Sequence, residues 1–211
     1  VNADQINRAA RSDAEAKRSP LRWYHYQNGG EAVKWIGNNV WVLEWKDDGA
    51  AVKGNIDLRT LRVRSQNYNG SYFFREGITW SSFSNGGLAF RYVPAGSLFD
   101  STGSMAFASS HLFGYLALLN TPSAFRFLKA YSPSPRIKIE SLLAIPDISE
   151  NQDVNELEAL ARECVQIASE INRHDEASPG FAISAAEDLI SANAPRVRIQ
   201  AWIERIAANE Y

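Results

Sequence analysis

Between Tyr72 and Asp100 the chain reads YFFREGITWSSFSNGGLAFRYVPAGSLFD, short aromatic-rich stretches interrupted by Asn85-Gly86-Gly87 and Pro94-Ala95-Gly96. Stretches this short and this often broken suit strands, because glycine, asparagine and proline supply the backbone angles that tight turns require. The spacing predicts strands over Ser71 to Arg75, Gly77 to Ser81 and Ala89 to Val93, with another over Met105 to Ala108. Upstream, Val40-Trp41-Val42-Leu43-Glu44-Trp45 runs into Lys46-Asp47-Asp48-Gly49, which predicts a strand ending in a hairpin or tight turn at Asp-Gly. From Arg22 onward the pattern therefore describes a β-rich core with irregular loops.

The pattern then becomes helical. Leu112, Phe113, Tyr115, Leu116, Leu118 and Leu119 are too continuous for a surface helix and suit one buried against a sheet, broken by Asn120-Thr121-Pro122. A second helix is expected from Ser123 to Tyr131, then a strand over Arg136-Ile137-Lys138-Ile139 that closes the sheet. Val154, Leu157, Leu160, Ala161, Cys164, Val165, Ala168 and Ile171 follow helical spacing and form one apolar stripe that needs a partner. Shorter helices are expected at Ser184 to Ala192 and Pro195 to Asn209. The fold class is thus α+β, a β-rich domain with packed helices followed by a C-terminal helical segment. Residues 1–21 read as a linker or the remnant of an upstream segment, 22–148 as the main domain, and 149–211 as the helical segment.

With 211 residues and 45% hydrophobic content the chain can bury a real core. No apolar run is long enough to cross a bilayer, and the first 20 residues hold no secretory signal pattern, so a soluble cytoplasmic protein without a membrane partner is expected. Cys164 stands alone and reads as a small core hydrophobe. His25, His111 and His174 are scattered, without Cys or carboxylate partners at ligand spacing, and no metal site is expected. Charge is divided along the chain: residues 1–138 hold 17 Lys and Arg against 10 Asp and Glu, and the remainder holds 5 against 14. That division permits a basic, partner-facing part and an acidic part held away from phosphates, although two solvated surfaces would look the same.

Four segments, taken in order, carry a family resemblance: WYHYQNGGEAVKWIGNNVWVLEWKDDG (Trp23 to Gly49), YFFREGITWSSFS (Tyr72 to Ser84), FRYVPAGSLFD (Phe90 to Asp100) and YLALLNTPSAFRFLKAYSPSPRIKIESLLAIPDI (Tyr115 to Ile148). Together they resemble the C-terminal target-recognition region of the BREX phage-defence adenine-specific DNA methyltransferases. More distantly, the Leu-Leu-Asn helix followed by a strand and Ile-Pro resembles specificity domains of type I and type IIG restriction-modification systems. The likeness covers about residues 22–181, with GITWS its most distinctive block, and Arg173-His174-Asp175 through Phe181 is similar to the segment after the family's long helix.

This resemblance implies a parent enzyme that transfers a methyl group from S-adenosylmethionine to adenine N6, with this chain as a non-catalytic part that selects the site on duplex DNA. The chain carries no Asn/Asp-Pro-Pro-aromatic loop to hold a flipped adenine, and Gly29-Gly30 and Gly86-Gly87 lack the spacing of a nucleotide-binding turn. Catalytic residues and cofactor are accordingly expected upstream of Val1. Partners implied are duplex DNA and the parent's methyltransferase domain, with other defence-system proteins or a DNA-mimicking phage inhibitor as further partners.

Within that reading, Arg62, Arg64, Asn67, Asn69 and Arg75 are base-reading candidates, because arginine grips guanine bidentately, asparagine grips adenine, and Arg59 to Asn69 is polar and poorly periodic. Lys34, Lys53, Ser81, Ser82 and Lys129 are phosphate candidates. Trp80, Phe83, Tyr92 and Phe99 are assigned to the core. Arg75 and Arg91 keep two readings, contact with DNA or ion pairing with Glu76 or Asp100. Three other functions compete: a protein-interaction module whose acidic helices dock the catalytic domain, a carbohydrate-binding β-domain using its 6 Trp and 8 Tyr, and an autonomous enzyme, which lacks any nucleophile-base or paired-carboxylate spacing.

Overall fold

Residues Trp23–Gln27 organise the first sheet because both edges of that strand are paired. The computed structural model describes residues 1–175 except 66–68, 82–87, 132, 134–136 and 138. In chain order its elements are β1 (Ile6–Asn7), α1 (Asp13–Arg18), β2 (Trp23–Gln27), β3 (Trp41–Glu44), α2 (Lys46–Lys53), β4 (Ile56–Asp57), β5 (Arg62–Val63), β6 (Gly77–Trp80), β7 (Phe90–Val93), β8 (Ser97–Phe99), β9 (Met105–Ala106), α3 (Leu112–Leu119), α4 (Pro122–Tyr131), α5 (Ile139–Leu143) and α6 (Val154–His174). β2 runs antiparallel to β3, with Tyr24 opposite Leu43, and its other edge is shared end to end by β1 and β8, both parallel to it. A second, antiparallel sheet has the order β7-β6-β9. β4 and β5 form a separate two-stranded ribbon. The α+β class is thus observed.

Two apolar clusters hold these layers. Ile78, Trp80 and Phe90 of the second sheet pack with Phe113, Leu116 and Leu119 of α3, Leu128 of α4 and Ala161 of α6. Tyr24, Leu98, Trp45, Phe73 and Phe74 pack around the first sheet with Ala10 and Ala16. The partner that the α6 stripe requires is α3. Gly114 permits the close approach, since a Cβ there would sit 3.2 Å from Val154 and 3.3 Å from Ile148. The described part of the expected C-terminal segment therefore shares its core with the main domain.

Four local expectations need correction. Residues 1–21, expected as a linker or as a frayed helical remnant of an upstream segment, are no linker: they contribute β1 and a packed helix, and the Tyr24 hydroxyl donates to the Ala16 carbonyl at 3.0 Å. Ser12 caps that helix by accepting from the Glu15 amide, so a short alanine-containing segment is stabilised by its cap and by burial of Ala16. Asp47-Asp48-Gly49, expected as a hairpin or tight turn, makes the tight turn and not the hairpin. All three residues have positive φ, of 52°, 60° and 69°, and the chain turns directly into α2 because Trp45 is buried against Gly49. Ser71 to Arg75 is not a strand. After a 3-10 turn at Gly70–Tyr72, Phe73 is extended and Phe74 left-handed (φ 67°), and both rings enter the core, whereas strand alternation would expose one of them. Of the strand expected over Arg136 to Ile139, Ile139 instead opens α5, while Arg136 and Lys138 lie outside the described residues. The helices expected after Ser184 also lie outside them.

β6, β7, β9, α3 and α6 form where the patterns predict, within a residue or two. Asn120 explains the Leu-Leu-Asn helix end. Its amide nitrogen donates to the carbonyls of Leu116 and Phe90, and its oxygen accepts from the Phe90 amide, tying the end of α3 to β7.

Candidate nucleic-acid interface

The β4–β5 ribbon is built from IDLRTLRV, and its chemistry follows from its pairing. Ile56 faces Val63 and Asp57 faces Arg62, so alternation places Asp57, Arg62 and Arg64 on one face and Ile56 and Val63 on the other. The Arg64 amide donates to the Asn55 carbonyl at 2.8 Å, closing the base of the ribbon, and the Ser65 hydroxyl donates to the Val52 carbonyl, fastening that base to α2. Asp57 orders the loop. Its Oδ1 accepts from the amides of Arg59 at 2.9 Å and Thr60 at 3.1 Å, while its carbonyl accepts from Leu61 at 2.7 Å. Arg59, Arg62 and Arg64 are all exposed. Arg64 lies 3.6 Å from Asp57 Oδ2, whereas Arg59 and Arg62 form no ion pair among the described residues. A two-stranded ribbon has dimensions that the DNA major groove admits.

The other base-reading candidates lie along the chain that returns from this ribbon. Asn69 is exposed at φ 61°, and its side chain makes no capping bond. Arg75 stacks over the rings of Tyr72 at 5.2 Å and Phe107 at 5.4 Å, and with Arg11 it lines an open cleft that also includes Tyr92 and Glu76. The Glu76 carboxylate accepts from the Tyr92 hydroxyl at 2.7 Å; burial, then this bond, pushes the tyrosine pKa upward. Asn67 lies outside the described residues.

Among the phosphate candidates, Ser81 is corrected: it is buried, and its hydroxyl donates to the Gly30 carbonyl at 2.6 Å, so it is not presented to a duplex. Ser82 lies outside the described residues. Lys53 pairs with Asp48 at 2.9 Å and lies over the Trp45 ring. Lys34 is exposed, with Nζ 3.5 Å from the Asn120 carbonyl, and Lys129 lies 5.9 Å from the Phe125 ring. These lysines belong to three separate elements or loops and are not gathered at the ribbon, apart from Lys53 at the end of α2.

Arg91 resolves differently from both sequence readings. It is fully buried and pairs with neither Asp100 nor Glu76; its guanidinium donates to the carbonyls of Glu31 at 3.1 Å and Gly29 at 3.4 Å. Burial lowers its pKa to about 10. Asp100 instead accepts from Tyr26 at 2.7 Å and from Thr102 and Gly103; burial alone would raise its pKa, but these bonds hold it below the ordinary value. Trp80 is core as expected, Tyr92 is half-buried against its cluster, Phe99 is half-buried against the cluster around the first sheet, and Phe83 lies outside the described residues.

His111 faces Glu158 at 3.2 Å, joining the start of α3 to α6. Among the described residues no group of three His, Cys, Asp or Glu could hold a metal, and no helix is long and apolar enough to cross a membrane. Trp41 is the one exposed tryptophan among them, which leaves no row of indole rings for stacking on sugars.

Sequence reasoning missed Arg11, which sat in a presumed linker, and missed the ribbon itself. Its strands are two residues long, below what alternation can reveal, although Asp57 ahead of a four-residue loop was a readable turn signal.

This chain is 47% identical over 126 residues to the adenine-specific methyltransferase PglX of Lacticaseibacillus casei (strain Zhang), covering 59% of the chain and 10% of that relative. It is 28% identical over 151 residues to the adenine-specific methyltransferase BrxX of Escherichia coli O9:H4 (strain HS), covering 70% of the chain and 12% of that relative. The chain spans about a tenth of the length of these curated relatives. No family model matches it.

Proposed function

We propose that this chain is the DNA sequence-recognition part of an S-adenosylmethionine-dependent adenine-N6 DNA methyltransferase of a BREX-type phage-defence system, working in the cytoplasm. The observation that carries this reading is the exposed arginine ribbon, in a chain similar to a tenth of two adenine-specific methyltransferases. Arg59 and Arg62 meet phosphates or base edges, Arg64 is oriented by Asp57, and Asn69 and Arg75 extend the contact from the adjoining turn. Among the described residues, the Gly29-Gly30 turn offers no room for the cofactor: a Cβ at Gly29 would meet the Thr102 carbonyl at 3.0 Å and one at Gly30 would meet Asn38 at 2.9 Å, so that turn is filled by the protein itself. Methyl transfer is assigned to the remainder of a longer protein.

Exchanging residues 22–175 for the matching segment of a related methyltransferase, followed by methylome sequencing, tests the reading. A changed methylation motif is expected; an active chimera that keeps its original motif contradicts it.

A second role on another face is favoured by α4 and α5, where Phe125, Phe127, Tyr131, Ile139 and Leu143 are exposed. This apolar surface suits docking of the methyltransferase domain. Titration of that domain against a Phe127→Ser/Leu143→Ser variant is expected to show weakened capture with duplex affinity unchanged.

A further inference from the structure

The tip of the β4–β5 ribbon holds two leucines that the fold does not use. Leu58 is 88% exposed and Leu61 78% exposed, in a loop where Asp57 already accepts from the amides of Arg59, Thr60 and Leu61. Leu61 also has a φ of 54°, a left-handed conformation that costs free energy in any residue with a Cβ and that glycine adopts freely. That conformation closes the four-residue loop, the Leu61 amide donating to the Asp57 carbonyl, but loop closure does not call for two large apolar side chains held out in solvent at an ordered tip.

We propose that Leu58 and Leu61 form a wedge that enters the stack of a DNA duplex and separates adjacent base pairs, while Arg59 and Arg62 hold the flanking phosphates. The proposal rests on the DNA-recognition reading above and deepens it. Apolar side chains inserted at a base step unstack and kink the duplex, and the cost is lowest where the step is already weakened. DNA is favoured over a protein partner by charge. Arg59, Arg62 and Arg64 surround the leucines, and Asp57, the one acid between Asn55 and Ser65, is engaged by the loop amides and Arg64. A loop fixed before binding also loses little conformational entropy on insertion.

The test compares binding of the 211-residue chain to two duplexes identical except for one central mismatch, by fluorescence anisotropy, with 2-aminopurine beside the central step reporting unstacking. The mismatched duplex is expected to bind roughly tenfold tighter, because part of the unstacking cost is already met. In a Leu58→Ala/Leu61→Gly variant that preference should fall to about twofold or less and the 2-aminopurine signal should be lost, with the salt dependence of binding unchanged. Because glycine relieves the strain at position 61, thermal stability should not fall, which separates loss of the wedge from loss of the fold. Equal affinity of the unaltered chain for both duplexes overturns the wedge and leaves DNA recognition standing. Failure to bind either duplex overturns both. A variant that retains the duplex preference but loses association with a second copy or with the methyltransferase domain, seen by sedimentation, makes the tip a protein contact and overturns the wedge.

Discussion

Arg91 on β7 is fully buried and aims its guanidinium at two carbonyls of the Gly29–Glu31 turn, whereas Arg59, Arg62 and Arg64 on the β4–β5 ribbon are exposed around a loop ordered by one aspartate. The two regions are made from the same residue type and do opposite work. In the first, loss of water is offset in part by hydrogen bonds from the guanidinium to main-chain oxygens, with Nε left unpartnered, and the arginine fixes a loop. In the second the charge stays hydrated and its field reaches outward, which is what an encounter with a polyanion requires. Counting basic residues along the chain merges these two uses. Burial separates them.

The comparison can be broken most severely in the core beneath Arg91. Trp80→Ala removes a side chain packed against Phe90 and deletes the indole hydrogen bond to Ile137, and a loss of about 3–5 kcal/mol is expected in urea denaturation. Arg91→Ala should cost about 2–4 kcal/mol, since it leaves a cavity and removes the hydrogen bonds to Gly29 and Glu31, while Arg91→Met, which also removes the charge, should cost less because it fills the volume. Equal losses for the two Arg91 variants would mean that the hydrogen bonds outweigh the packing. Leu58→Ala on the ribbon should shift stability by no more than about 0.5 kcal/mol.

A pH titration gives the smallest effect and touches the first sheet. Burial, then the nearby Arg8, lowers the His25 pKa below its ordinary 6.5, and Nδ1 has no hydrogen-bond partner. The unfolded chain therefore takes up the proton first on acidification, so this contribution to stability is complete above pH 6.5 and is lost as pH falls toward the depressed value. His25→Gln should flatten the pH dependence of the denaturation midpoint in that window; an unchanged profile would remove His25 as its source. Asp100 acts at lower pH in the same direction, its contribution being lost below the ordinary value of 3.8.

How much of this could be read from residue order varies with the length scale of the interaction. α6 was legible because it repeats its apolar residues over several turns, α3 because its apolar run is too continuous for a surface helix and ends at Asn120-Thr121-Pro122, and β6 and β7 because glycine-bearing turns bracket aromatic runs. Phe73-Phe74 misled because a strand period assumes one buried face, and the left-handed backbone at Phe74 lets both rings be buried. The first 21 residues misled because small alanines and a two-residue parallel strand carry almost no local signal, although Ala10 and Ala16 are core. Of the candidate site, the arginines at 62 and 64 could be chosen by chemistry alone. Ser81 could not be rejected that way, since its burial depends on the Gly30 carbonyl, distant in sequence.

Recognition of DNA through the ribbon is tested most directly by the salt dependence of duplex binding, comparing the unaltered chain with Arg59→Gln/Arg62→Gln/Arg64→Gln. Each phosphate contact removed lowers the slope of log affinity against log salt by about 0.9, so a decrease of about 2–3 is expected at unchanged thermal stability, with Arg64 contributing least because Asp57 holds it. A slope identical in the two proteins would contradict it.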